Sequence, residues 1–197
     1  MEAWRSDAIG ASIPGEGEMG MPMGTGRQGA KYRVKLFGAF VLTAPDGRRL
    51  PVTSKKGVAM LGLLATARGG ERWRSWIQEK LWGSRELPQA QSSLRRELHE
   101  IRTIGIDVGI PLIEANRRVV RLVLDNVDVD VRSSPGSLLR NQEFLEGINV
   151  VGEEGFEEWL DIARGKFRKL RSFGGGASMA VAASYVPFAT VISNLAA

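Results

Sequence analysis

The 197-residue chain has no cysteine, one histidine, His99, and two tyrosines. Without thiols there is no disulfide and no thiolate metal site, and a lone imidazole cannot assemble a histidine cage, so no metal or other cofactor is called for. It also lacks a glycine-rich phosphate loop of the Walker kind and a G-x-S-x-G elbow, which leaves an enzyme little to work with. Four acids, Glu153, Glu154, Glu157 and Glu158, form the nearest thing to a carboxylate cluster, and on a helix such a run is ordinarily solvated. Residues 1–30 contain no apolar run; they read as a disordered leader rather than a signal peptide, and a cytoplasmic setting fits.

With 43% hydrophobic residues there is ample material for a core. The formal charge of +5 conceals an asymmetry. Between Lys31 and Thr103 stand fifteen Lys and Arg against six Asp and Glu, whereas Asn141 to Arg171 holds seven acids and five bases. A local basic excess of that kind attracts a polyanion, and nucleic acid is the usual one.

Polar and apolar residues alternate in "KYRVKLFGAFVLTAP", predicting two short strands broken at Gly38, and the Asp46-Gly47 turn leads to a third, Arg48 to Val52. Thr53 or Ser54 is placed to cap a first helix whose apolar set is Val58, Leu61, Leu64 and Ala65 and which stops at Gly69-Gly70. "ERWRSWIQEKLWGS" predicts a second helix ending at Gly83, with Trp73, Trp76 and Trp82 at a spacing that favours core packing over base stacking. The third helix, Leu87 to Gly105, starts with Pro88 in its first turn and carries Leu87, Ala90, Gln91, Leu94, Leu98 and Ile101 on one stripe. Its other side shows Gln89, Ser92, Arg96, His99 and Thr103, flanked by Ser93, Arg95 and Arg102. "PLIEANRRVVRLVL" then predicts a β-hairpin with its tip at Ala115-Asn116-Arg117. The fold class is α+β: an antiparallel sheet, three helices and a hairpin.

That order describes a winged helix-turn-helix, and the preceding sheet narrows it to the OmpR/PhoB type. "VKLFGAFVL…DGRRLPV" resembles the opening sheet of SARP/AfsR-type bacterial transcriptional activators, and "EKLWGSRELPQAQSSLRRELHEIR" resembles their "LWG" turn and recognition helix. "VDVDV" and "EFLEGINVVGEEGFEEWLDIARGKFRKL" resemble the start of the helical bacterial transcriptional activator domain that follows in that family, with Phe156, Trp159 and Leu160 on a packed face. The resemblance covers Lys31 to Arg171. The chain departs from the family in lacking a Gly-Tyr pair at the hairpin and in having only about two helices of the second domain. It implies a leader 1–30, a DNA-binding domain 31–124, a partial activator domain 125–171 and an uncharged tail 172–197.

Under that resemblance double-stranded DNA is the partner, direct repeats bound by a homodimer are expected, and RNA polymerase is the partner of the activator domain. Arg95 or Arg96 would pair with guanine, Gln89 with adenine, and Ser92 or Ser93 with phosphate. His99 and Arg102 would reach phosphates further along. Lys55 and Lys56 stand at a helix start, where positive charge opposes the dipole and suggests a phosphate partner. Arg117 and Arg118 stand where a wing meets the minor groove. Against these readings, Arg96 is four residues before Glu100, Arg95 four after Gln91, and a charged hairpin tip also blocks edge pairing. Two rivals remain open: a protein-interaction module using the winged helix and the acidic segment, and a membrane-anchored regulator should 177–197 span, which Pro187 and Asn194 disfavour.

Overall fold

The computed structural model describes residues 31–133 and 142–174, without the side chains of 133 and 172–174. The expected leader, 1–30, and the segment 177–197 lie outside the described residues, as does nearly all of the uncharged tail. The fold is α+β.

β1 (Tyr32–Lys35) pairs antiparallel with β2 (Val41–Thr43), placing Val34 opposite Leu42, and β2 pairs with β3 (Arg49–Leu50). The alternation places Tyr32, Val34, Leu36 and Leu42 inside. Gly38 and Gly47 take positive φ, 79° and 91°, at the two breaks. The third strand is shorter than expected; it stops before Pro51, which has no N–H to give a ladder.

α1 (Lys55–Ala65) starts at Ser54, whose hydroxyl accepts from the Gly57 N–H at 3.2 Å. Every residue from Gly57 to Ala65 is buried, so α1 is wrapped on all sides and not just along one stripe. It ends four residues before the expected Gly69-Gly70. The Thr66 hydroxyl donates to the Gly62 carbonyl at 2.9 Å, while Arg132 donates to the carbonyls of Ala65 and Ala67, both at 3.0 Å.

Gly69 and Gly70 then turn the chain with φ of 66° and 76° into β4 (Glu71–Trp73), where the second helix was expected to begin. That helix, α2, is shorter, Arg74–Trp82. As a strand, 71–73 points Trp73 outward, 58% exposed, which corrects its expected place in the core. Trp76 is half-buried and Trp82 buried, as helical spacing predicts.

α3 (Leu87–Val108) runs past Gly105, which is buried inside it, and stops at Gly109 in the left-handed region, φ 76°. Ala90, Leu94, Leu98 and Ile101 form its buried stripe as expected. Leu87 and Gln91 do not join it: the first turn projects past the core and leaves Leu87 61% exposed. β5 (Ile113–Ala115) and β6 (Val119–Leu122) form the hairpin, and β4 pairs along β6 to give the sheet order β4-β6-β5.

β7 (Val127–Val129) returns to pair parallel with β1, setting Tyr32 opposite Val127 and completing the order β3-β2-β1-β7. Thus the first strand past the expected boundary at 124/125 lies in the opening sheet. After α4 (Asp130–Ser133) and the stretch from 142, where the Leu145 N–H donates to the Leu36 carbonyl at 2.7 Å, comes α5 (Glu154–Gly174). Its buried residues Phe156, Trp159, Leu160, Ala163 and Phe167 follow helical spacing. Phe167 meets Phe37 and Phe144 with ring centroids 5.2 and 4.9 Å apart. The buried side chains from both expected domains belong to one hydrophobic cluster. Among the described residues no helix is long and apolar enough to cross a membrane.

Candidate nucleic-acid interface

α3 buries one stripe, so the opposite side must face solvent. Gln89, Ser92, Arg95, Arg96, His99 and Arg102 are all exposed, and Ser93 is half-exposed, its hydroxyl accepting from Arg85 at 2.9 Å. Arg96 lies 3.9 Å from the Glu100 carboxylate, both well exposed, a spacing at which an i,i+4 pair contributes only tenths of a kcal/mol, about 0.3–0.5. The Arg95 Nε donates to the Gln91 carbonyl at 3.2 Å, and Thr103 donates to the His99 carbonyl. Arg102 reaches across to donate to the Ala115 carbonyl at 2.8 Å, tying α3 to the hairpin.

The hairpin tip is fixed by one side chain. The Asn116 Oδ1 accepts from the N–H groups of Arg118 and Val119 at 2.7 and 2.9 Å. Arg117 and Arg118, both exposed, are carried on this turn. The Arg74 N–H donates to the Arg118 carbonyl at 2.8 Å, and its guanidinium donates to the Asn116 carbonyl at 3.1 Å, so the start of α2 is held against the tip.

These three attachments enclose an open groove of about 790 Å³ between the start of α2, α3 and the tip. Four arginines line it, Arg74, Arg95, Arg117 and Arg118, along with Trp73, Ser75 and the amides of Gln78, Gln91 and Asn116; no acid does. Among the described residues none of these four arginines is in an ion pair. Their crowding has an electrostatic cost: burial first, then the charges of Arg102 and Arg95, push the Arg74 guanidinium below its ordinary pKa. Like charges gathered without counterions make a concave positive surface suited to an anion.

The structure brings Arg95, Arg117 and Arg118 to this groove and places Gln89, Ser92, Arg96 and His99 on the adjoining face of α3. Lys55 and Lys56 do not join them. Lys55 donates to Asn149 at 2.7 Å. Lys56, expected as a phosphate contact, forms a 2.7 Å ion pair with the buried Glu153 and lies 5.2 Å over the Trp82 ring. The dipole penalty at the start of α1 is offset by an acid nearly a hundred residues away in sequence. Arg74, Ser75 and Gln78 were not singled out from sequence, and Trp73 was expected in the core. The signal available was the double glycine before "ERW", a better turn into a strand than the end of a helix.

The described residues contain no group of three or more acidic or histidine side chains able to hold a metal ion. Comparison with protein-family models, curated proteins and solved structures found no match.

Proposed function

We propose that this chain binds double-stranded DNA in a sequence-specific manner and regulates transcription, as a winged helix-turn-helix of the OmpR/PhoB type with the SARP/AfsR-type activators as its relatives. α3 lies in the major groove, the β5-β6 hairpin is the wing, and the arginine groove takes the phosphate backbone. The observation that carries this reading is the acid-free groove of four unpaired arginines set beside the exposed polar face of α3. Phosphates position a protein and base edges specify its site, and the two sets of residues divide in that way here. Arg96 and Gln89 have the side chains for bidentate contacts with guanine and adenine. Ser92, Ser93, His99 and Arg102 are on the same helix for shorter or phosphate contacts. A homodimer on direct repeats and recruitment of RNA polymerase follow from the proposed kinship.

The test is a fluorescence-anisotropy titration against a mixed pool of duplex DNA at several salt concentrations. With the four groove arginines and one or two from α3 on phosphates, the log–log salt slope is about −4.5 to −5.4. Replacing Arg74 and Arg118 together by Ala reduces its magnitude by about 2. Absence of duplex binding at low salt would remove this reading.

A further inference from the structure

Amid the charges of the groove stands one large apolar side chain, Trp73, 58% exposed. It sits at the end of the edge strand β4, opposite Val119, and directly precedes Arg74, whose N–H is bound to the Arg118 carbonyl. The strand alternation turns Arg72 and Val120 inward and Glu71 and Trp73 outward, so nothing in the core calls for an indole at this position. Most of a tryptophan left in water is an unfavourable use of apolar area unless a partner covers it, and tryptophan beside arginine is the composition of contact surfaces.

The chemistry around Trp73 defines what covers it. Arg74 and Arg118, which face each other one step along the ladder from the Trp73–Val119 pair, select a phosphate-bearing partner, and in duplex DNA the apolar element next to each phosphate is the deoxyribose. A base face is closed to the indole because the bases are stacked, and unstacking is costly. We propose that Trp73 packs against the deoxyribose of the strand whose phosphates lie on Arg74 and Arg118. The inference rests on the duplex-binding reading above. It adds an uncharged contact that contributes to affinity for any sequence.

The test compares the full chain with its Trp73→Ala, Trp73→Phe, Arg74→Ala and Arg96→Ala variants, each first checked for an unchanged thermal midpoint, against a preferred duplex, a scrambled duplex and single-stranded DNA. Trp73→Ala is expected to weaken both duplexes about fivefold by the same factor, because sugar burial is blind to sequence. Its salt slope stays that of the wild type, since no charge is lost, whereas Arg74→Ala lowers the slope by about 1. Trp73→Phe recovers most of the affinity, and the quenching of tryptophan emission on DNA addition is smaller in that variant than in the wild type. Duplex affinity unchanged by Trp73→Ala alongside a loss in Arg74→Ala overturns the inference and leaves the duplex reading standing. A loss confined to single strands overturns it in favour of base stacking. If the wild type binds no duplex, the reading itself has failed and this contact with it.

Discussion

Gly105 and Gly109 stand four residues apart near the end of α3 and are glycines for different reasons. At Gly109 the backbone is left-handed and a Cβ would meet open space, so Gly109→Ala costs only the conformational penalty, about 1 kcal/mol. At Gly105 a Cβ would lie 3.1 Å from the Ile110 carbonyl oxygen and 3.2 Å from the Leu112 nitrogen, so backbone there would have to give way by a few tenths of an ångström. Gly105→Ala is therefore expected to cost more, about 2–3 kcal/mol by denaturant unfolding, and the reverse order would contradict the packing described. Sequence identifies a glycine near a helix end; it does not tell a cap from a close approach, because the path by which residues 110–112 double back past the end of α3 is not set by local periodicity. The same limit hid Lys56, whose partner Glu153 lies in the loop just before α5.

Two buried carboxylates give stability a pH dependence of opposite sign. Burial raises the Glu97 carboxyl above its ordinary value of 4.5, against a hydrogen bond from Ser54. The folded state then holds that proton more tightly than the unfolded one, so the contribution of Glu97 is most favourable below pH 4.5 and declines as pH rises through the folded value. At Glu153 burial also pushes the carboxyl up, but hydrogen bonds from Lys56 and from the Ser84 N–H and hydroxyl together outweigh it and bring the carboxyl below 4.5. Its contribution is present above 4.5 and is lost as pH falls. Thermal midpoints between about pH 4 and about pH 8 are expected to show Glu97→Gln more stable than wild type at neutral pH and Glu153→Gln less stable there, with the Glu153→Gln deficit shrinking in acid. A deficit that grows in acid would contradict the Lys56 pairing.

Among the elements, the hairpin was legible and the entry to α2 was not. Alternation over Val119 to Leu124 and an asparagine at the tip defined β5, β6 and the turn, since both signals are local. β4 is three residues long and is a strand only because β6 is there to pair with it, so the helical spacing of Trp73, Trp76 and Trp82 was the stronger sequence pattern and, at Trp73, the wrong one. That error concealed Trp73 and Arg74 as groove residues. The tip depends on Asn116, whose one oxygen accepts two N–H groups. Asn116→Ala is expected to cost about 1 kcal/mol and to speed hydrogen exchange at the Arg118 and Val119 amides while leaving α1 amides protected. Equal acceleration across α1 would mean that the tip is coupled to global unfolding and is no separate element.

At the scale of the whole molecule, the segment past residue 124 supplies structure to what precedes it. β7 covers one edge of β1, Arg132 satisfies carbonyls at the end of α1, and Leu145 packs where a Cβ on Gly62 would lie 2.7 Å from its Cδ1. α5 adds Phe156, Trp159, Leu160 and Phe167 to the common core and lies against α2, while Arg164 donates to the Phe144 and Leu145 carbonyls. None of these contacts was readable from periodicity, which assigns a helix its apolar face and leaves open what that face meets. Heat or denaturant should then unfold residues 31–133 and 142–174 in one transition reported alike by the tryptophans of α2 and α5. Ending the chain at residue 124 removes β7, Arg132 and the aromatic cover, exposes Phe37 and the flank of α2, and should give a product that binds a hydrophobic dye and precipitates at concentrations where the full chain stays clear. A truncated chain that is monomeric, dye-silent and as stable as the full chain would mean that 31–124 closes its own core, and would locate a domain boundary where the sequence resemblance put it.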